Sequence, residues 1–189
     1  MRVFSCETLF VYMYSSSFST LHLIVPFDKF EVDVLRELNV APTQLHLNVW
    51  VTMCAFRVLC QFFFIILTTH KFLHHYIVKE NKKVDWISLT DILDKAVIGP
   101  YTTSYKNFKG YFFQVPSKLE FMPIDFTRQR VLKFPFYWNL SPIMFIKKKP
   151  IIYMYDSDQK DMVVLHKFLM GLHCKTLVDL TFFKKIRGL

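Results

Sequence analysis

A nineteen-residue apolar stretch, 49–67, limits the folds open to this chain, because it is long enough for a helix that spans a bilayer. Arg57 lies near its middle. A central arginine costs about 2.5–3.5 kcal/mol of insertion free energy, whereas each Leu, Ile or Phe returns only about 0.3–0.6 kcal/mol. A core helix of a globular domain avoids this cost, because Arg57 can reach the surface along its aliphatic stem. We therefore predict a buried helix over 47–67, with a single membrane span at 49–67 as the alternative.

The composition is that of a folded, basic protein. Of the 189 residues, 52% are hydrophobic and 17% are aromatic, far more than a disordered chain carries. Lys and Arg number 24 against 15 Asp and Glu, and the resulting net charge of +9 favours acidic partners. The four cysteines are scattered and form no C-x-x-C pair, which favours a reducing compartment. We expect an intracellular location, in the nucleus or the cytoplasm, with a membrane location as the alternative.

The order of helix and strand patterns predicts an α+β fold. Asp28 can cap a helix whose apolar residues repeat every three or four positions, and Pro42 ends it. Beyond the apolar stretch, short aromatic and β-branched runs predict a central antiparallel sheet of about four strands. The predicted strands are 72–78, 84–89, 105–115 and 131–138.

The C-terminal part returns to helical patterns. Asp156 and Ser157 can start a helix that ends near Gly171, and a second short helix is expected to follow as far as Lys185. N-terminal helices, a central sheet and C-terminal helices are typical of α+β domains rather than of alternating βαβ units. We predict an N-terminal segment, 1–25, followed by a single domain, 26–189.

One segment is similar to an RNA-binding strand motif, K-G-[FY]-[GA]-F-V, in which aromatic side chains stack on bases while a lysine holds phosphate. The segment is 109–115, KGYFFQV. The match is partial, because Phe112 replaces the small residue and Gln114 interrupts the end. The core of a hairpin explains the same aromatic residues without RNA, so both interpretations stay open.

Basic clusters supply the candidate contacts to nucleic acid, since lysines bind phosphate backbones without sequence preference. A solvated basic surface is the alternative interpretation of these clusters. The candidate residues are Lys106, Lys109, Lys147, Lys148, Lys149, Lys184, Lys185 and Arg187.

Patterns that carry catalysis or metal binding are weak. His70 and His74 would share a helix face as metal ligands do, with His75 adjacent, but the glutamate of H-E-x-x-H is missing. His166, His173 and Cys174 are far away in the sequence. The chain has no P-loop, no G-x-S-x-G, no dinucleotide fingerprint and no zinc knuckle. We predict no enzymatic activity, no metal, no cofactor and no small-molecule substrate.

Three short sequence segments resemble those of a known family in residues, order and spacing. They are 30–46 (FEVDVLRELNVAPTQLH), 104–110 (SYKNFKG) and 134–138 (FPFYW), with weaker matches at 10–30, 55–60 and 86–89. Together they resemble the plant gypsy-type transposon proteins over about residues 10–140. The resemblance implies the gag-like or accessory region of a plant retroelement, a family without an established activity. It carries over no catalytic residue.

The chain departs from this family where apolar or bulky residues replace smaller, basic, polar or turn-forming ones. The departures are His22, Ile24, Leu47, Val49, Ile65 and Ile66. Such changes can turn a solvated loop into an exposed apolar patch, which favours association. The resemblance therefore implies a non-enzymatic transposon-derived protein, truncated or diverged, that self-associates or binds nucleic acid nonspecifically. A decayed remnant without function is the alternative within this family.

Overall fold

The computed structural model describes residues 10–19, 21, 23–81, 86–92, 98, 111–116, 134–142, 155–167 and 176–177. Its contacts divide the chain into two compact units, each formed by two separate segments. The first unit comprises Met1–Gln44 and Tyr105–Ile143, and the second comprises Leu45–Ser104 and Met144–Leu189. The division into 1–25 and 26–189 is a different partition, and it stays a prediction.

The described residues form a mixture of helices and strands, which confirms the predicted α+β class. The helices are α1 (Ser15–Ser19), α2 (Lys29–Leu38), α3 (Leu47–Phe62), α4 (Thr69–His74) and α5 (Asp156–Lys167). The strands are β1 (Phe10–Tyr14), β2 (Tyr76–Asn81), β3 (Trp86–Asp91) and β4 (Phe112–Pro116). These strands pair as β1–β4 and β2–β3 in two antiparallel sheets of two strands each. The single sheet of about four strands was therefore wrong, although four strands are present in the described residues.

In the first unit, α2 forms where the sequence predicts it. The Asp28 carboxylate accepts a hydrogen bond from Glu31 N, and Glu31 Oε2 accepts one from Asp28 N, both at 2.9 Å. This reciprocal capping box satisfies two backbone donors that a helix start leaves open. Asn39 ends the helix in the left-handed conformation, with φ of 54°, which asparagine tolerates better than most residues.

A network of hydrogen bonds joins two segments of the first unit that are distant in the sequence. The Gln44 side chain accepts from Asn139 N and donates to Asn139 O, both at 2.8 Å. Asn139 Nδ2 in turn donates to Asn39 O at 2.7 Å. Nearby, the rings of Phe27 and Phe134 lie 6.0 Å apart between centroids. The structure thus holds segment 134–142 against the end of α2 and the 3-10 turn Pro42–Gln44.

In the second unit, α3 is a core helix that is shorter than predicted. Trp50, Phe56 and Leu59 are almost fully buried. The helix ends at Phe62, and Phe64 takes a left-handed conformation with φ of 56°. Since residues 63–68 leave the helix, the predicted helix to residue 67 was wrong at its C-terminal end. Among the described residues, no helix has both the length and the apolar character to cross a membrane.

The predicted strand 72–78 is a strand only from residue 76, because residues 72–74 belong to α4. Thr68 Oγ1 accepts from Lys71 N at 3.2 Å and starts α4, so the strand β2 begins only at Tyr76. β2 then pairs with β3, with Tyr76 opposite Asp91 and Asn81 opposite Trp86. Of the remaining strand predictions, 105–115 is met by β4 only from residue 112 within the described part, and residues 134–138 are irregular.

Candidate nucleic-acid interface

The basic residues that we predicted to contact nucleic acid all lie outside the described residues. They are Lys106, Lys109, Lys147, Lys148, Lys149, Lys184, Lys185 and Arg187. The candidate site is therefore built from the aromatic residues around β1 and β4, which the structure does describe.

In the β1–β4 sheet, β1 buries one of its faces in the core of the first unit, whereas β4 has no buried residue. Side chains alternate between the two faces of a strand, and Val11 and Met13 on β1 are each only 1% exposed. Tyr12, between them, lies on the opposite face, directly across from Gln114. Phe112 pairs with Tyr14 on this outer face and is 60% exposed.

Four aromatic rings form a continuous series on and beside this outer face. From Tyr137 to Phe10 the ring centroids are 6.2 Å apart, from Phe10 to Tyr12 5.2 Å, and from Tyr12 to Phe112 5.5 Å. The interplanar angles, between 76° and 86°, are those of edge-to-face pairs. We call Phe10, Tyr12, Phe112 and Tyr137 the aromatic ladder. No two neighbours in this series stack in parallel, since in each pair the edge of one ring points at the other ring.

Polar contacts hold the aromatic ladder at two places. Gln114 Nε2 donates to Tyr12 Oη at 3.2 Å, which couples the two strands on the outer face. Ser15 N donates to Tyr111 O at 3.0 Å and so continues the pairing beyond β1. At the other end, the hydrogen bonds between Gln44 and Asn139 fix the backbone two residues after Tyr137.

The structure changes the basis of the RNA-binding comparison. Phe112, which replaces the small residue of the motif, is the β4 residue of the aromatic ladder. Phe113 lies opposite Met13, on the other face from Phe112, and its ring is 6.2 Å from that of Phe18, but it is still 54% exposed. Lys109 and Gly110 lie outside the described residues.

Sequence reasoning missed the contribution of β1 to this site. The segment FVYMY alternates aromatic with aliphatic residues, and such a period of two is the pattern of a strand. Because both kinds of residue are apolar, the alternation does not stand out in a hydropathy profile. A separate count of aromatic positions finds it.

The histidines that we weighed as metal ligands are brought together in the second unit. His74 and His75 on and after α4 lie near His166 on α5, with ring centroids 5.6–6.5 Å apart. Even so, no group of three or more His, Cys, Asp or Glu side chains within the described residues could hold a metal ion. His173 and Cys174 lie outside these residues.

The buried thiol of Cys60 lies close to the same helices. Burial raises its pKa to about 12, with the nearby Lys71 lowering it and Asp161 raising it. A thiol with such a pKa is protonated at neutral pH and is a poor nucleophile. Cys60 is therefore a buried apolar residue of the core and not a candidate for catalysis.

Comparisons with known proteins identify no relative of this chain. No family model, no curated protein and no solved structure matches the chain. The resemblance to plant gypsy-type transposon proteins thus depends on the sequence phrases alone, and the function has to be argued from the aromatic ladder and the charge.

Proposed function

We propose that this chain is a non-enzymatic, transposon-derived protein that binds single-stranded nucleic acid by stacking bases on the aromatic ladder. The observation that carries the proposal is the series of four rings with Phe112 and Tyr137 more than half exposed. Stacking of a base on an aromatic side chain contributes about 1–3 kcal/mol of binding free energy and tolerates any sequence, because every base has a π-face.

The charge of the chain supports the same proposal. The aromatic ladder itself carries no charge, whereas the chain has a net charge of +9. Lys106 and Lys109 precede β4 in the sequence, and we propose that they contact phosphates next to the stacked bases. Proteins that bind single strands combine these two elements, a stacking platform and a basic path for the backbone.

The test compares ladder variants with a matched exposed aromatic residue of the second unit. Tyr12→Ala and Phe112→Ala are measured against Tyr155→Ala, since Tyr155 is 83% exposed. Fluorescence anisotropy with a labelled mixed-sequence 12-nucleotide single strand gives the Kd of the full chain. We expect each ladder variant to bind at least about fivefold more weakly and the control to bind like the wild type.

Two results would overturn the proposal. One is a wild-type chain that stays folded but shows no binding at low salt. The other is a pair of ladder variants whose Kd equals that of the wild type. Circular dichroism melting of every variant separates lost binding from lost folding.

An exposed apolar loop favours self-association as a second function. At the end of α3 and in the loop after it, Phe62, Phe64 and Ile66 are all more than two-thirds exposed, and a cluster of apolar side chains in water drives association. We propose that this loop contacts a second copy of the chain. Sedimentation velocity should show a dimer that Phe64→Ser dissociates, and a wild-type monomer at all concentrations would contradict this function.

A further inference from the structure

Phe64, in the loop after α3, occupies a backbone position that favours glycine. Its N–H donates to Gln61 O at 3.4 Å. Ile65 N donates to Cys60 O at 2.8 Å, and together the two hydrogen bonds form a Schellman motif at the end of the helix. In this motif the residue after the C-cap takes the left-handed conformation, and Phe64 follows the C-cap Phe63 with φ of 56°. Because a side chain destabilises this conformation relative to glycine, Phe64 lowers the stability of the turn that it forms.

The ring of Phe64 adds little to the stability of the fold. It is 95% exposed, whereas the next residue, Ile65, is 7% exposed and anchors the loop in the core. An apolar side chain stabilises a fold by leaving water, and the Phe64 ring stays in water. The far side of the loop is also held, because the buried Lys71 ammonium donates to Ile66 O at 3.1 Å. The loop therefore presents the Phe64 ring outwards from a backbone that is fixed on both sides.

We infer that Phe64 is the anchor through which the chain self-associates, and that the fold gives up stability to present it. This inference rests on the proposed self-association and names the residue on which that function depends most. Residues in unfavourable backbone conformations cluster at functional sites, and aromatic side chains are enriched in protein interfaces. A side chain on a backbone that is already fixed also loses less conformational entropy when it binds.

The charge of the chain favours a second copy as the partner of this loop. Two copies with a net charge of +9 each repel one another, so contact between them is most favourable where charge is absent. Residues 58–70, which include the loop, contain no Asp, Glu, Lys or Arg. Salt screens the repulsion between two copies and should therefore tighten a dimer. Binding of nucleic acid through basic side chains has the opposite salt dependence.

The test uses the opposite effects that Phe64→Gly should have on stability and on association. At a concentration where the wild type is monomeric, thermal melting of the full chain should give a melting temperature raised by about 2–4 °C, because glycine relieves the left-handed turn. Sedimentation velocity should give a dimer Kd raised at least about tenfold, and the wild-type dimer should tighten as salt is added. Tyr155→Ala, which removes another exposed ring of the second unit, is the control and should leave the dimer Kd unchanged.

The outcomes separate this inference from the function on which it rests. A wild-type dimer whose Kd is unchanged by Phe64→Gly overturns the role of Phe64 and leaves self-association intact. A Phe64→Gly chain that does not melt above the wild type also overturns the inference, because the ring would then support the fold. A dimer that weakens as salt is added would place the contact at charged groups instead of this loop. If the wild type is monomeric at all concentrations, the proposed self-association and the inference both fail.

Discussion

Lys71 on α4 forms a buried ion pair with Asp161 on α5, with 2.6 Å between Nζ and Oδ2. Lys71 is only 1% exposed, and its ammonium also lies 2.9 Å from Asp158 Oδ1 and donates to Ile66 O at 3.1 Å. One cation thus connects two helices and the loop after α3. The pair explains why a lysine is tolerated in this core, since a buried charge needs a partner.

Removal of this cation should destabilise the second unit. Lys71→Met leaves two carboxylates facing an apolar side chain, and we expect the free energy of unfolding to fall by about 2–4 kcal/mol. Lys160→Met on the exposed side of the same helix α5 is the control, with an expected change within about 0.5 kcal/mol. Urea unfolding followed by circular dichroism measures both. Equal losses in the two variants would contradict the role of the pair.

The same pair predicts a loss of stability at high pH. Burial lowers the pKa of Lys71, but the hydrogen bonds and charges of Asp161 and Asp158 outweigh this effect and raise the pKa above its ordinary value of 10.5. A raised lysine pKa stabilises the folded state below the ordinary value, and the contribution disappears as the pH rises through the folded pKa. The stability difference between wild type and Lys71→Met should therefore narrow above about pH 10.5. A constant difference up to about pH 12 would contradict this prediction.

His46, the N-cap of α3, should make the stability of the fold decrease at low pH rather than at high pH. Its Nδ1 accepts from Asn48 N at 3.1 Å, and burial lowers its pKa below the ordinary value of 6.5. Because a protonated Nδ1 cannot accept, this cap stabilises the fold above pH 6.5 and is lost as the pH falls through the lowered pKa. His46→Asn should keep a cap without this titration. Thermal melting between about pH 7 and pH 4 should show a smaller pH dependence for the variant than for the wild type, and identical dependence would count against the cap.

Loss of the Gln44 side chain should lower both the stability of the first unit and the affinity of the chain for oligonucleotides. Its side chain satisfies the backbone of Asn139 on both sides and is 1% exposed. Gln44→Leu removes both hydrogen bonds to the half-buried backbone of Asn139, and we expect the free energy of unfolding to fall by about 1–3 kcal/mol. The position of Tyr137 should loosen as well, so oligonucleotide binding should weaken. Gln61→Leu, at an exposed position of α3, is the control, and a Gln44→Leu chain with unchanged melting and binding would contradict the coupling.

The parts of the fold that depend on neighbouring residues could be predicted from the sequence. α2 follows from Asp28, Glu31 and an apolar face, all within one short segment. α3 was predicted for the same reason, but its end at Phe62 is set by the left-handed turn at Phe64, for which no glycine or asparagine provides a pattern.

The parts that depend on distant residues could not be predicted. β4 pairs with β1, which is far away in the sequence. The sequence therefore shows the pattern of a strand but not which strand it pairs with. α4 contains Lys71, whose carboxylate partners lie on α5. From the sequence, the residues that follow Lys71 predicted a strand instead of a helix. The aromatic ladder combines residues from three separate segments. Phe112 belonged to the RNA-binding strand motif and Tyr137 to the segment 134–138, but nothing in the sequence indicated that the two lie in one series of rings.

Photo-crosslinking tests the central proposal most directly, because it reports which residues touch the bases. A single-stranded 12-nucleotide probe with 5-iodouracil is irradiated with the full chain, and the tryptic peptides are mapped by mass spectrometry. We predict nucleotide adducts on Tyr12 in the peptide 3–29 and on Phe112 in the peptide 110–118. Adducts confined to other peptides, with none on the aromatic ladder, would contradict the proposal.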